Sequence, residues 1–340
     1  MDVKSFLGLV VLASTITSST AGCILSHKHD NCNYTIVCNT NPGSVTNPNC
    51  DEEPYVIFII SNSNMDFLTT GFFAATNFDS RVREIKAYSN SWNDIDSSAF
   101  RYYPKSNSLD LSNNYIKKIH NEAFRNLNYL KTLNISNNKI EILDSKSFLI
   151  SDSRNNIVQE LDLSNNKLIE LSSELNDLPK LKKLYLQNNI LSKMADDCFM
   201  NLKNLEYLNL QNNRLSFLNL TLTNLKMLKT LDISYNNLIK LSGYEINRMF
   251  ALVDFNASHN ALKSVESNCF NQAAALETVD FSYNSINATI ENVRFVVNNQ
   301  LTYLNFYNNH ITGIQENSFM HCKINYINFE NNNLTGDLKE

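Results

Sequence analysis

The sequence predicts an α/β-type solenoid, a chain of stacked repeats that curves into a right-handed horseshoe. Its concave side is expected to be a parallel β-sheet, and its convex side is expected to be mostly irregular. Three observations predict this fold. One pattern of apolar residues and asparagine recurs along most of the chain, its period is about 24 residues, and a phenylalanine often closes the unit. Stacked units of this kind share one continuous core.

The repeat frame is clearest in residues 130–140, which read LKTLNISNNKI. In this stretch Leu130, Leu133, Ile135 and Ile140 occupy the apolar positions of the frame. Asn138 occupies its asparagine position, and the remaining positions vary. Eleven copies follow one another at intervals of 23 to 25 residues, apart from one interval of 28, and a weaker copy around Asn62 precedes them. This is the pattern of leucine-rich repeats. The frame asparagines are Asn90, Asn114, Asn138, Asn166, Asn189, Asn213, Asn236, Asn260, Asn284, Asn309 and Asn332.

Each copy of the frame predicts a short strand followed by a turn. Alternating residues such as Leu133 and Ile135 turn one face of the strand inward. The frame asparagine begins the turn, where its amide can both donate and accept hydrogen bonds. A column of these amides is expected to satisfy buried backbone groups that no regular ladder satisfies. The phenylalanines that close units, ten residues after the asparagine, are Phe72, Phe100, Phe124, Phe148, Phe199, Phe270 and Phe319.

Residues 1–21 are predicted to be a secretory signal peptide. Lys4 precedes an apolar run over 6–13, and small residues follow as far as Ala21. An N-terminal membrane anchor is the alternative, but the run is much shorter than the roughly 20 residues that a span requires. No later stretch is long and apolar enough to span a bilayer. We therefore expect a secreted chain, with a cysteine-containing N-terminal cap over 22–52 and leucine-rich repeats over 53–340.

The seven cysteines fall into two groups. Four cluster directly after the predicted signal and suggest two disulfides, with three pairings open: Cys23, Cys32, Cys38 and Cys50. A metal site that includes His27 and His29 is the competing interpretation. Cys198 and Cys269 are three repeats apart, about 14 Å at the strand spacing, which exceeds disulfide reach. They are expected to be small core residues, and Cys322 is the candidate for a free or intermolecular thiol.

The charge and glycine content argue against two functional classes. The net charge is −5, the pI is about 5.7 and no Lys/Arg run occurs, so the sequence gives no sign of nucleic-acid binding. The seven glycines are isolated, and no phosphate-binding loop is found. Ser, His and Asp residues fall on positions that recur with the repeat. We therefore expect no catalytic residues, no cofactor and no metal.

Six Asn-X-Ser/Thr sequons are candidate glycosylation sites in a secreted chain. An asparagine-rich repeat also produces sequons by chance. Asn134 and Asn256 each lie between two inward apolar residues, so both are expected to point out of the concave sheet, where a glycan would obstruct binding. The six candidates are Asn33, Asn134, Asn219, Asn256, Asn287 and Asn333.

Aromatic residues accumulate toward the C-terminal end of the predicted concave face. Three of them directly precede a frame asparagine in consecutive repeats and are expected to stack as a ladder: Tyr235, His259 and Tyr283. Three more are expected on exposed strand positions of the last repeats: Tyr303, Tyr307 and Tyr326. Tyrosine is favoured in binding hot spots, so these six residues form the candidate partner site. The alternative is that tyrosine suits strands and stacks across neighbours without a ligand.

A second cluster on the same predicted face is a weaker candidate. It combines two basic and two aromatic side chains: Lys182, Lys183, Tyr185 and Tyr207. The alternative interpretation is a solvated face.

The repeat, the cysteine cluster and the signal peptide together resemble animal extracellular leucine-rich repeat proteins, including Toll-like receptor ectodomains and small secreted matrix proteins. The stretches YVIFIISNSNMDFLTTGFF and VREIKAYSNSWNDIDSSAF resemble the opening of insect secreted leucine-rich immune proteins. That resemblance implies circulation in hemolymph, pairing through a C-terminal helical region and scaffolding of complement-like effectors. No C-terminal cysteine cap or heptad segment is present, so disulfide-linked pairing is not carried over. An exposed C-terminal solenoid end would instead offer an intermolecular contact.

These observations favour a secreted, non-enzymatic protein-binding scaffold in innate immunity or host interaction. Its partner is expected to be an extracellular protein. One alternative is a cell-adhesion or matrix protein, or a fragment of a receptor ectodomain. Another is a secreted inhibitor that occludes an enzyme with its concave face.

Overall fold

In the computed structural model, each repeat contributes one short strand to a single long sheet. The sheet has 14 strands among the described residues, and its strands follow the chain in order. This order confirms the predicted solenoid. The structure describes residues 23–29, 33–38, 56–60, 67–68, 81–97, 99–150, 156–218, 221–246, 248–266, 269–270, 272–287, 300–315, 318–319 and 322–335.

The first two strands of the sheet are antiparallel, and every later neighbour is parallel. Parallel order follows from the repeat, because each turn of the solenoid returns the chain to the same side. The strands of the sheet are β1 Cys23–His29, β2 Asn33–Cys38, β3 Val56–Ile60, β5 Val82–Lys86, β7 Ser108–Asp110, β9 Thr132–Asn134, β11 Glu160–Asp162, β13 Lys183–Tyr185, β15 Tyr207–Asn209, β16 Thr230–Asp232, β18 Asp254–Asn256, β20 Thr278–Asp280, β21 Tyr303–Asn305 and β22 Tyr326–Asn328.

The register aligns the repeat frames residue for residue. Leu133 of β9 lies between Leu109 of β7 and Leu161 of β11. All three leucines are at most 1% exposed, as is Ile135 two positions later. The inward positions therefore form one continuous apolar layer, whereas the outward positions are left on the concave surface.

The phenylalanines that close the repeats form a second buried layer. Phe100, Phe124 and Phe148 are fully buried, and successive rings are stacked with centroids 6.2 and 6.0 Å apart. Burying each ring stabilises the fold by about 1.5–3 kcal/mol relative to exposure. The repeat thus stacks at two levels, at the strand and at the closing ring.

The convex side carries only short regular elements among the described residues. Four parallel pairs of two-residue strands follow the turns, and one single-turn helix, α1, spans Gly243–Ile246. This is consistent with the predicted irregular convex side. The pairs are β4 Phe67–Leu68 with β6 Asp94–Ile95, β8 Lys118–Ile119 with β10 Ile142–Leu143, β12 Glu170–Leu171 with β14 Lys193–Met194, and β17 Lys240–Leu241 with β19 Ser264–Val265.

The N-terminal region joins the same sheet through β1 and β2. The register places Cys23 directly opposite Cys38, and β2 then pairs in parallel with β3. The disulfides and the division into signal, cap and repeats stay predictions. Outside the described residues lie the predicted signal peptide, Cys32, Cys50, Asn62 and Phe72.

The later cysteines belong to the core. Cys198 and Cys269 are fully buried, and burial raises the pKa of the Cys198 thiol far above its usual range. The Sγ atom of Cys269 lies 3.7 Å from the carbonyl oxygen of Leu241. Cys322 is partly buried and packs against the core, and burial raises its pKa as well. The intermolecular role of Cys322 stays a prediction.

Candidate functional site

The frame asparagines bind the turns of neighbouring repeats together. Asn138 donates its Nδ2 hydrogens to the carbonyl oxygens of Ile135 and Ser136 at 3.2 and 3.1 Å, and to Leu111 of the preceding repeat at 3.0 Å. Its Oδ1 accepts from the backbone N–H of Ile116 at 3.1 Å. The other frame asparagines, from Asn90 to Asn332, donate in the same way. This column is structural, because it satisfies buried backbone.

A second polar column, which was not predicted from the sequence, stands at the exit of every sheet strand from β7 to β22 except β13, which ends at Tyr185. Asp232 Oδ1 accepts from the backbone N–H of Ser234 at 2.9 Å, and Asn134 Oδ1 accepts from Ser136 at 3.1 Å. This is the local Asx turn that aspartate and asparagine favour. Recurrence of Asp or Asn four residues before the frame asparagine could have revealed it. The other members are Asp110, Asp162, Asn209, Asn256, Asp280, Asn305 and Asn328.

The residue before each frame asparagine has a left-handed backbone, with φ between 52° and 58°. This conformation is costly for most residues, and asparagine tolerates it better than others. In the middle repeats the asparagines at this position also form a side-chain chain. Asn188 donates to Asn165 Oδ1 at 2.9 Å, and Asn212 donates to Asn188 Oδ1 at 2.8 Å.

Tyr235, His259 and Tyr283 occupy this left-handed position in three consecutive repeats, with φ of 53°, 53° and 54°. Their rings stack with centroids 4.1 and 4.2 Å apart and nearly parallel planes. The ring of Tyr307 meets Tyr283 edge-on at 5.3 Å. We call these four residues the aromatic ridge. Tyr235 and Tyr283 remain 48% and 42% exposed, so the ridge offers ring surface to solvent.

The placement of Tyr307 corrects one expectation. The sequence predicts an exposed strand position for Tyr307, but β21 ends at Asn305 and Tyr307 lies two residues beyond the strand. Its side chain therefore belongs to the aromatic ridge, beside Tyr283, and does not face outward from a strand. Its hydroxyl oxygen accepts from Asn331 Nδ2 at 2.9 Å, and the nearby Tyr283 phenol raises the pKa of Tyr307.

Tyr303 and Tyr326 form a separate aromatic pair on β21 and β22. Their rings are parallel to within 7°, with centroids 4.8 Å apart. Burial, followed by the charge of Asp280, raises the pKa of the Tyr303 phenol. The six predicted aromatic residues therefore fall into two groups, the ridge and this strand pair, and their partner-binding role stays a prediction.

A shallow depression of about 220 Å³ opens on the concave face beside Tyr303. Phe255 is 2% exposed and contributes to its apolar lining with Leu231. Its polar lining comes from adjacent strands: Thr230, Asp254, Asn256, Thr278 and Asp280. The depression thus combines an aromatic side chain, Tyr303, with two carboxylates above the buried side chains of Leu231 and Phe255.

Comparison with known families agrees with the repeat geometry. The model described as Leucine rich repeat matches residues 81–140, 104–150 and 179–238, the two-copy Leucine Rich repeats model matches 158–196, and the BspA type Leucine rich repeat region model matches 228–336. Together these matches cover more than half of the chain. The chain is a leucine-rich repeat protein.

Two curated relatives match part of this leucine-rich repeat protein. Lumican from Rattus norvegicus is 33% identical over 150 residues, which is 42% of this chain and 43% of Lumican. Transforming growth factor beta activator LRRC33 from Danio rerio is 27% identical over 132 residues, which is 38% of this chain and 19% of that protein. The match therefore spans less than half the length of either relative.

Solved structures share the fold over a larger part of the chain. A Leptospira interrogans leucine-rich repeat protein has a TM-score of 0.66 at 22% identity, covering 82% of this chain and 67% of that one. The Drosophila Toll–Spatzle complex has a TM-score of 0.61 at 20% identity, covering 77% of this chain and 42% of that one. The mouse RP105/MD-1 complex has a TM-score of 0.63 at 21% identity, covering 82% of this chain and 47% of that one. At these identities the likeness shows the leucine-rich repeat fold alone.

The second candidate cluster consists of paired charges and a tyrosine contact. Lys183 lies 3.6 Å from the Glu160 carboxylate, and Lys182 lies 3.9 Å from that of Glu206. The Tyr185 and Tyr207 rings are tilted with centroids 5.0 Å apart. Burial, followed by the charge of Glu160, raises the pKa of Tyr185 to about 12. Since both lysines have partners on the face, the cluster fits a solvated, internally compensated surface.

The sequons occupy different positions on the leucine-rich repeat surface. Asn134 and Asn256 lie on the concave sheet, where Oδ1 of each caps its own turn. Asn287 and Asn333 are exposed. Asn33 lies in β2, and Asn219 falls outside the described residues. Glycan occupancy stays a prediction at all six.

Neither a metal-binding cluster nor a membrane-spanning helix is found in the part of the chain that the structure describes. No group of three His, Cys, Asp or Glu side chains there is arranged to hold a metal ion. No helix within the same residues has both the length and the apolar composition to cross a membrane.

Proposed function

We propose that this leucine-rich repeat protein is an extracellular, non-enzymatic scaffold that binds a protein partner through the C-terminal half of its concave face, in innate immunity or host interaction. The aromatic ridge is the observation that carries the proposal. It places three stacked rings along three consecutive left-handed turns, with the fourth ring, Tyr307, edge-on to Tyr283 in the next repeat.

The backbone of the ridge argues against a purely structural role for its tyrosines. A left-handed conformation costs most L-residues about 1–2 kcal/mol, and Tyr235 and Tyr283 adopt it where other repeats carry asparagine. Unfavourable backbone conformations that persist are concentrated at functional sites. The general preference of tyrosine for strands does not explain these two residues, because neither lies in a strand.

Similar proteins support a binding role outside the cell. The Toll and RP105 structures with this fold are complexes with the proteins Spatzle and MD-1. The immune or host-interaction role, the secretion of the chain and its signal peptide belong to the proposal. N-terminal sequencing of the chain recovered from the medium of secreting cells tests cleavage near residue 21.

A receptor-ectodomain role is the second candidate, and the shared fold with Toll favours it. In that case the repeats described here would be the ligand-binding part of a longer, membrane-anchored protein. A transcript that encodes a membrane span after the repeats would support this candidate over the circulating scaffold.

The ridge is tested by restoring the asparagine of the neighbouring repeats. In the triple variant Tyr235→Asn, His259→Asn and Tyr283→Asn, each new residue tolerates the left-handed turn. We expect the fold to be retained and recovery of the partner to fall at least about tenfold, since interface aromatic residues commonly carry 2 kcal/mol or more. Affinity purification from the native fluid, followed by mass spectrometry, identifies and quantifies the partner.

A matched control removes tyrosines of similar exposure away from the ridge. Tyr115 and Tyr129 are 48% and 56% exposed, and the double variant Tyr115→Asn, Tyr129→Asn should leave partner recovery unchanged. Equal recovery with wild type and the ridge variant would overturn the proposed site.

A further inference from the structure

Resting on the proposed function, we infer that the partner presents a cationic, extended protein segment to the C-terminal concave face, with a lysine or arginine side chain in the depression beside Tyr303. The charges, the register and the shape of the sheet strands β16, β18, β20, β21 and β22 favour a partner of this chemistry.

The outward positions of these last five strands carry negative charge alone. They include three carboxylates, Asp232, Asp254 and Asp280, and their other residues are threonine, asparagine and tyrosine. Within the described part of the chain, no lysine or arginine forms an ion pair with any of the three. The face therefore presents uncompensated negative charge.

Some concave acids of the earlier repeats have lysine partners on the same face, whereas Asp110 and Asp162 form no ion pair within the described residues. Glu84 lies 3.3 Å from Lys86, and Glu160 lies 3.6 Å from Lys183. At the edge of the sheet, Glu206 lies 2.7 Å from Lys229. Lysines thus lie beside some acids of the earlier strands, whereas β16, β18 and β20 carry acids and none of the strands β16, β18, β20, β21 and β22 contains lysine or arginine.

Hydrogen bonds hold the three carboxylates in fixed positions. Asn256 Nδ2 donates to Asp232 Oδ2 at 3.4 Å, and Asn305 Nδ2 donates to Asp280 Oδ2 at 3.1 Å. Thr278 Oγ1 donates to Asp254 Oδ1 at 2.6 Å. Charged groups that are already oriented pay less ordering entropy when a cation binds.

The register spaces the carboxylates along the sheet. Asp232, Asn256 and Asp280 are direct neighbours on successive strands, so an amide separates the two acids. At the strand spacing, Asp232 and Asp280 are about 9.6 Å apart. Alternate residues of an extended segment point the same way at about 6.6–6.8 Å intervals, so two successive cationic side chains would have to splay apart by about 3 Å to reach both acids.

The size of the depression favours one long side chain over a small-molecule ligand. Its 220 Å³ lies below the roughly 300–1,000 Å³ of typical ligand pockets. The methylene stem of a lysine or arginine would lie against the ring of Tyr303, because the side chains of Leu231 and Phe255 are at most 2% exposed. Its charged head would then lie near Asp254 and Asp280, beside the ring of Tyr303, which attracts cations through its face.

Two synthetic peptides test the inference directly. One alternates arginine with serine over ten residues, and the other has glutamate in place of arginine. Isothermal titration calorimetry of the full chain should detect the arginine peptide and no binding of the glutamate peptide. Binding should weaken severalfold between 50 and 200 mM salt, as screening shortens the range of the charges. Binding of neither peptide, or of both equally, would contradict the inference.

The double variant Asp254→Asn, Asp280→Asn removes the charges and keeps the shape. Asparagine already stands at the strand-exit position in other repeats, so the turn after β20 is retained. We expect at least a tenfold loss of affinity for the arginine peptide and for the native partner. The control is Asp110→Asn, Asp162→Asn, which removes two carboxylates from the column of Asp280 in the N-terminal half and should leave both affinities unchanged. Equal losses in the two double variants would show a general charge effect and overturn the inference.

The outcomes separate this inference from the function on which it rests. If the ridge variant loses the native partner and Asp254→Asn, Asp280→Asn keeps it, the scaffold function stands and the cationic segment is refuted. If neither variant affects the native partner, both fail. Peptide mapping that finds a glycan on Asn256 would also refute the inference, because the sugar would fill the depression.

Discussion

At the scale of the residue, the three asparagines in LKTLNISNNKI perform three different tasks. Asn134 caps the end of its strand through Oδ1. Asn137 adopts the left-handed turn with φ of 54°. Asn138 is 8% exposed and joins two repeats through its amide. The same residue type recurs because its short amide suits an Asx turn, a left-handed backbone and a buried backbone junction alike.

Replacing Asn138 by alanine should destabilise the protein by about 1–3 kcal/mol, because backbone groups of two repeats would lose their partner. Urea denaturation measures the change as a lower midpoint at constant slope. The control is Asn137→Gly, since glycine accepts the left-handed turn, and its midpoint should change little. Equal midpoints for wild type and Asn138→Ala would refute the role of the column.

The sequence predicted one of these three tasks from spacing alone. The buried amide of Asn138 follows from its place after two inward residues. The left-handed turn at Asn137 is a backbone property that hydrophobic periodicity does not encode. For this reason Tyr235 and Tyr283 were predicted as a stack, while the unusual conformation that makes their presence informative was not.

At the scale of the element, the short strands derive their stability from the layers behind them. A three-residue strand has few ladder hydrogen bonds, so packing against neighbouring repeats decides its stability. Phe124 lies at the centre of the closing layer, stacked on Phe100 and Phe148.

Phe124→Ala should destabilise the fold by about 3–5 kcal/mol through the cavity it leaves. Denaturant unfolding followed by circular dichroism provides the measurement. Phe217→Ala is the control, because Phe217 is 50% exposed and its loss should change the free energy of unfolding by no more than about 0.5 kcal/mol. Similar effects at the two positions would contradict the buried closing layer.

The β17–β19 pair and helix α1 are joined by Glu266. Its carboxylate lies 2.5 Å from Lys240 Nζ and accepts from the backbone N–H of Gly243 at 2.9 Å. The hydrogen bond from Lys240, followed by that from Gly243, lowers the pKa of Glu266 below its ordinary 4.5. A lowered folded-state pKa means that the stabilisation is present above about pH 4.5 and is lost as the pH falls through the folded value.

Glu266→Gln should therefore lower the thermal midpoint at pH 7 and have a smaller effect near pH 3. The group is partly exposed, so solvent screening keeps the effect below about 1 kcal/mol. Glu141→Gln is the control, because the Glu141 carboxylate lies 3.9 Å from Lys167 with both side chains about half exposed. If the thermal midpoints of Glu266→Gln and wild type differed more at low pH than at pH 7, the predicted direction of the pH dependence would be wrong.

The strands of the sheet were predictable as elements, because alternation and period agree at each copy of the frame. The four outer strand pairs and α1 were not predicted. Each is only two to four residues long, and so short an element depends on contacts between repeats rather than on a local pattern. The offset of Tyr307 escaped prediction because its strand ends one residue before the inward Phe306.

At the scale of the whole molecule, charge and aromatic surface divide the concave face into two halves. The earlier strands combine acids with lysines, as in the pairs of Glu84 and Glu160. The later sheet strands, from β16 onward, carry acids and tyrosines at outward positions and contain no lysine or arginine. The period predicted the solenoid and its parallel sheet, since both follow from stacking alone. Which carboxylates have a lysine partner depends on which side chains meet across repeats. It therefore cannot be predicted until the register of the strands is known.

The aromatic ridge has a mechanical consequence. The three stacked rings of Tyr235, His259 and Tyr283 have centroids 4.1 and 4.2 Å apart. These distances are shorter than the roughly 4.8 Å between neighbouring strands. A column on the inner side of a bent body is compressed, and opening the horseshoe would draw these rings apart. In the earlier repeats the same column consists of amides linked by hydrogen bonds of 2.9 and 2.8 Å. Along one line the molecule thus passes from amides joined by hydrogen bonds to stacked rings, and we expect its C-terminal half to bend more easily than its middle.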